Sequence, residues 1–259
     1  MPDIRDELNQ ALSDEDPVRR AQIQMLKPLA KRFYKNVSVA AAGGHAVLLD
    51  GRPVRTPAKQ PLAVPTAKLA ELLAAEWDAQ ADVIDPAAMP ITRIINTAID
   101  GVAPDPRAVF EDILRFAGTD LICYRADGPE GLVARQNDAW NPIVDWAAQS
   151  LGARFILAEG VIHQEQPREA ISAYAEGLRA FATPLGLACL HTLTTLTGSA
   201  LLALACAMGR LSAEEAWTAA HVDEDWQIEH WGTDEEAFRR RENRWQEMQA
   251  AANVLEALR

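Results

Sequence analysis

Between Arg179 and Arg210 the chain carries no charged residue. A run of that length has to be buried, in a bilayer or in a protein core, and either choice dictates the architecture around it. The composition of the run separates the two. Pro184, His191, Gly198 and repeated Thr and Ser dilute its hydropathy below that of a good membrane span, so it reads as a central helix enclosed on all sides by a soluble helical bundle. The chain can supply such a bundle: its 259 residues are 49% hydrophobic, enough for one large packed domain or two small ones.

Charge and cysteine usage narrow the function classes. A net charge of −12 with scattered Lys and Arg opposes a nucleic-acid role, which needs clustered cations to displace phosphate counterions. Cys123, Cys189 and Cys206 lie far apart without a CxxC pair, as expected of reduced, buried thiols. The N-terminal MPDIRDELNQALSDEDP is acidic and lacks the apolar core of a secretory signal and the arginines of a transit peptide. The protein is therefore expected to stay in the compartment where it is made.

The texture changes along the chain. Residues 1–29 read as a charged helical lead-in. Val37 and Val39, Gly43-Gly44, Ala46 to Leu49, Asp50-Gly51, then Val54 and Thr56 read as short strands joined by turns that need positive φ, and Leu62 to Val64 as one more strand. Thr66 is a candidate N-cap for a helix with Leu69, Leu72, Leu73 and Trp77 on one face. A Pro-flanked loop follows, then an apolar stripe of Ile91, Ile94, Ile95 and Ile99. From the cap pair Asp105-Pro106 onward the pattern is helical, interrupted by a β-rich Leu121 to Tyr124 and a short strand at Phe155 to Leu157. The fold class expected is α+β, with a small antiparallel β-rich domain over 30–100, containing one or two helices, and a larger helical domain over 101–259.

Chemistry is sparse. No phosphate-binding glycine loop occurs, and no HExxH or HxH brings two histidines together. His221 and His230 are nine residues apart, roughly two and a half helical turns, and so face opposite ways on a helix. Ser199 lacks the second glycine of a nucleophile elbow and reads as a packing residue, and Asp120 follows a helix stop where a carboxylate bonds backbone amides. No metal, cofactor or nucleotide is expected.

The richest stretch is Asp223 to Gly232, DEDWQIEHWG. Ser212 and Glu215 form a capping box and Gly232 a stop, which predicts one helix over 213–231, with Thr233 to Glu236 starting another. On that helix Trp217, Ala220, Ile228 and Trp231 share a face that includes Glu224, with Gln227 beside it. Ala219, Val222 and Trp226 take nearly the opposite face. Glu224 and His230 are roughly 240° apart, too far for a shared site. A helix that is apolar on two sides must bury both or offer one to a partner. Both a fully buried helix and a protein-binding surface fit the pattern; an acid/base site near Glu224 or His191 in a small-molecule enzyme is the alternative of another class.

Several motifs together resemble a family. Arg32 to Val37, Leu49 to Arg52, Thr56 to Lys59, Glu76 to Gln80, Thr119 to Arg125, Trp140 to Ile143 and the DEDWQIEHWG stretch are similar, in order, to the soluble assembly chaperones of ATP synthase that bind the alpha subunit of F1-ATPase. The resemblance implies a non-enzymatic chaperone that shields the beta-facing surface of free alpha until the hexamer forms. It also implies a β-containing N-terminal domain and a helical C-terminal one. In the signature, Glu224, Gln227, Ile228, Trp231 and Gly232 match. Asp223 and Asp225 replace the usual glutamates, Trp226 a smaller aromatic, and Asp234 an apolar residue. The expected partner-binding residues are Asp223, Glu224, Trp226, Gln227 and Trp231, with Trp77 and Gly232 structural. The chain is identified as a bacterial, cytoplasmic member acting as a monomer, without stable membrane insertion.

Overall fold

The computed structural model describes residues 28–41, 44–160, 163–232 and 234–259. Most of the 1–29 lead-in lies outside them. Two compact units are distinguished. In the described part of the first, β1 (Ala30–Lys31) pairs antiparallel with β6 (Val83–Ile84), and the Gln80 side chain accepts from the Asp85 amide at 2.7 Å.

The second unit comprises Tyr34–Asp78 and Pro86–Arg259. Its sheet is an antiparallel arrangement of β2 (Val37–Ala41), β3 (His45–Leu49), β4 (Arg52–Pro53) and β5 (Ala63–Val64), with β3 central and β2 at an edge. The β3–β4 turn uses Asp50 and Gly51 at φ 47° and 78°, the positive values a two-residue hairpin turn requires. The Asp50 carboxylate also accepts from the Asn36 amide at 2.9 Å, which ties the hairpin to the start of β2. Helix α1 (Ala67–Asp78) packs on β2 and β3, burying Leu69, Ala70 and Leu73. Its cap is Thr66, whose hydroxyl accepts from the Leu69 amide.

Next come α2 (Pro90–Asn96), which continues into a π-helical turn over Thr97–Val102, and α3 (Pro106–Gly118), where Asp105 caps and Pro106 opens the helix. Glu76 caps α2 from a distance, accepting from the Ile91 and Thr92 amides at 2.7 and 2.8 Å. The β-rich reading of Leu121 to Tyr124 resolves into a 3-10 turn, Leu121–Cys123, followed by β7 (Tyr124–Arg125). β7 pairs parallel with β8 (Ala158–Glu159) rather than with Phe155 to Leu157, where a strand was expected. There the Gln166 amide occupies the partner position, accepting from Ile156 N and donating to Ile156 O at 2.8 and 2.9 Å.

The charge-free span forms two helices, and only the second is enclosed on all sides as expected: the first leaves Thr195 exposed and His191, Thr192 and Leu196 half-buried. α6 (Pro184–Thr197) and α7 (Ala200–Ala207) are separated by Gly198 at φ 67° and Ser199, whose hydroxyl accepts from the Leu202 amide. Every residue of α7 is buried, and α6 packs against α7, α3 and α2. α4 (Glu130–Trp146), α5 (Arg168–Arg179), α8 (Ala213–Ala220), α9 (Val222–Trp231) and α10 (Glu235–Ala257) complete the unit. Among the described residues no helix is long and apolar enough to cross a membrane.

Candidate functional site

The helix expected over 213–231 is broken. The Ser212–Glu215 capping box starts α8 as predicted, but His221 adopts φ −110° and ψ 19° and separates α8 from α9. Two tryptophans with different destinations account for the break. Trp217 of α8 is buried against Trp245 of α10, ring centroids 5.5 Å apart. Trp226 of α9 packs instead on α4, whose Gly131 leaves so little room that a Cβ there would lie 2.8 Å from the indole. His221 is itself buried; its Nδ1 lies 2.7 Å from the Trp217 carbonyl, and burial, the largest influence, pushes its pKa down.

One side of α9 is fully committed to the fold. Arg135 of α4 makes a two-pronged contact to Glu229 at 2.7 and 2.6 Å and lies 4.9 Å over the Trp226 ring. Gln136 donates to Asp223 at 2.7 Å, and Arg241 of α10 pairs with Asp225 at 2.5 Å. His230 stacks on Trp226 at 4.3 Å and places Nδ1 2.7 Å from the Trp226 carbonyl. These contacts hold Asp223, Trp226 and Glu229 toward α4.

The other side is open. Residues 224, 227, 228 and 231 repeat at three- and four-residue spacing and so form one stripe. Trp231 is 88% exposed, Gln227 is exposed, and Ile228 is half-buried. Glu224 retains 41% side-chain exposure, with Oε2 3.7 Å from His221 Nε2. The structure thus divides the five predicted partner-binding residues: Glu224, Gln227 and Trp231 point outward, while Asp223 and Trp226 are bonded internally. Gly232, at φ 80°, ends α9, and its amide bonds Ile228 O at 2.8 Å. The next cap is Asp234, accepting from Ala237 N at 2.7 Å, one residue beyond the Thr233 start that the sequence suggested. The sequence reading passed over Phe238 in the first turns of α10, which is 61% exposed. An aromatic four residues after the Asp234 cap was the available signal.

The remaining candidates make contacts within the fold. Trp77 accepts a hydrogen bond from Tyr34 through its carbonyl at 2.6 Å, with the rings 5.9 Å apart. Asp120 is fully buried. It accepts from the Ile122 and Leu201 amides at 3.2 and 2.9 Å and from the Ser199 hydroxyl, yet burial prevails and pushes its carboxyl up to about 6. Ser199 is both cap and donor in that network. His191 places Nε2 2.8 Å from Asp112 and meets Phe116 edge-on. The three cysteines are free, buried, and raised in pKa by desolvation. No group of three His, Cys, Asp or Glu side chains among the described residues could hold a metal.

Known proteins are similar to this chain over most of its length. Residues 31–148 match a family model described as ATP12 chaperone protein. The solved structure of the Atu1473 protein from Agrobacterium tumefaciens, described as a candidate chaperone, superposes with a TM-score of 0.87. It is 60% identical, and the match covers 98% of this chain and 96% of that one. Atp12 from Paracoccus denitrificans gives a TM-score of 0.82 at 43% identity, covering 89% of this chain and 99% of that one. Mitochondrial atp12 from Schizosaccharomyces pombe is 25% identical over 234 residues, which is 84% of this chain and 79% of that protein.

Proposed function

This chain belongs to the ATP12 chaperone family, and we propose that it is an assembly chaperone of ATP synthase, binding the free alpha subunit of F1-ATPase and shielding its beta-facing surface until the hexamer forms. The observation that carries the reading is the outward stripe of α9. A fully exposed indole beside an amide, an isoleucine and a carboxylate has the make-up of a protein-interface anchor with polar groups for register. The opposite side of the helix is fixed by Arg135, Gln136 and Arg241, so the stripe is presented on a rigid element and binding does not have to order it. The chaperone is expected to act as a cytoplasmic monomer without cofactor or nucleotide.

The small-molecule enzyme reading draws less support. Glu224 is half-exposed, and its neighbour His221 is buried and disfavoured from taking a proton. His191 is tied to Asp112. The test is retention of separately expressed alpha and beta subunits on the immobilised chain. Alpha alone should be retained, and Glu224→Lys should weaken that retention while leaving the circular dichroism unchanged. Retention of neither subunit, or of both equally, overturns the proposal.

A further inference from the structure

The sheet leaves a second surface with a definite chemistry. In β3, the Val47 carbonyl accepts from Val54 N, on the side of β4. Backbone direction alternates along a strand, so Ala46 and Leu48 point at β2 and bond its opposite residues Ala40 and Ser38. The bond from Asp50 N to Asn36 O continues the same alternation. Val37, Val39 and Ala41 therefore direct their N–H and C=O groups away from β3, where no other described strand pairs with β2.

Such an edge is normally guarded by charge, proline or a bulge. β2 has none of these: its sequence, VSVAA, is uncharged, and all five residues pair in continuous register with β3. Val39 stands opposite the fully buried Val47 and shares its face of the sheet, yet is 37% exposed, with no described strand on its outer side. An added strand would satisfy the outward amides and carbonyls and extend the apolar face at Val39.

We propose that the outer edge of β2 is a strand-addition site, which takes an extended segment with alternating apolar side chains from the client polypeptide. This rests on the chaperone reading above, in which the occupant of an unpaired edge is the client polypeptide. A second copy of the chain is a poorer occupant, because each copy carries a net charge of −12 and repels the other.

The test uses the full chain with separately expressed alpha subunit as probe, reading amide hydrogen exchange residue by residue and retention of alpha by the variants. Val39→Pro removes one outward N–H and no bond of the β2–β3 ladder, so the sheet should survive. Val39→Lys keeps every amide and guards the edge with charge, which covers the case in which the proline variant fails to fold. Addition of alpha should slow exchange at Val37, Val39 and Ala41 by about tenfold or more, and both variants should bind alpha more weakly than wild type. If alpha is retained while these amides exchange at their free rate and Val39→Lys binds like wild type, strand addition is wrong and the chaperone reading stands. Protection that appears without alpha and rises with chain concentration assigns the edge to a second copy, and overturns the inference. Failure to retain alpha at all removes both.

Discussion

Trp226 and Trp231 lie in one short helix, and their substitutions should separate binding from stability. Trp231 is 88% exposed, so Trp231→Ala removes almost no packing from the free protein. Its stability to urea should stay within about 0.5 kcal/mol of wild type. At an interface, an indole covers roughly 150–250 Å². At about 25 cal/mol per Å² this amounts to about 4–6 kcal/mol before the costs of ordering and desolvation. Truncation of such an anchor should thus cost about 2–4 kcal/mol, a weakening of alpha binding by roughly 30- to 1,000-fold in calorimetric titration. Trp226→Ala should behave in the opposite way. The half-buried ring is wedged between Gly131 and Arg135, and its loss should cost about 2 kcal/mol of stability, with any loss of binding following from a displaced α9. The reasoning fails if Trp231→Ala binds alpha within twofold of wild type. It fails equally if that variant loses 2 kcal/mol or more of stability, since the indole would then be packed in the free chain.

Other substitutions probe the supports. Gly131→Ala places a methyl 2.8 Å from the Trp226 ring, so a fluorotryptophan resonance of Trp226 should shift and alpha binding should weaken, although alanine is the better helix former; an unmoved resonance would refute the close contact. Asp120, with its carboxyl at about 6 folded against 3.8 unfolded, contributes stability that is fully present below about pH 4 and lost as pH rises through 6, about 3 kcal/mol in all. The urea stability difference between wild type and Asp120→Asn should change by about that amount between pH 4 and 7.5. A flat difference would mean that the surrounding amides and the Ser199 hydroxyl outweigh burial. Gly198→Ala forces a methyl-bearing residue into φ 67° between α6 and α7, and should lower stability by about 1 kcal/mol in thermal unfolding without altering alpha binding.

Local chemistry was legible in the sequence wherever a few neighbouring residues decide the backbone. Asp105-Pro106, Ser212 with Glu215, Thr66 and Asp50-Gly51 each occur where a cap or turn was expected, because each satisfies its own orphan amides or its own φ. The break at His221 was not legible. No glycine or proline marks it; the cause is the distant pair of docking sites, Trp245 for Trp217 and Gly131 for Trp226. Likewise nothing near Ile156 announces that a glutamine ten residues on will take the place of a strand partner. In α9 the outward stripe was readable as spacing, but which side faces solvent depended on Arg135 and Gln136, almost ninety residues or more upstream.

The same dependence explains why motifs so far apart in the chain accompany one exposed helix. Glu76 caps α2, Asp50 ties the β-hairpin to the start of β2, and Tyr34 bonds the Trp77 carbonyl; each of these contacts lies within the fold, although Asp50 itself is exposed. Trp140 goes further. Fully buried in α4, it donates from Nε1 to the Ala219 carbonyl at 2.7 Å, two residues before the break at His221. Gly131 and Arg135 of that same helix then receive Trp226 and Glu229. Together with Trp245 and Arg241 of α10, this helix therefore holds the end of α8 and the inward side of α9, which leaves Trp231 on the outward side. A surface held in place before binding loses little entropy when a partner docks on it. Under the proposed function, the Trp231 indole is the side chain that the client would cover.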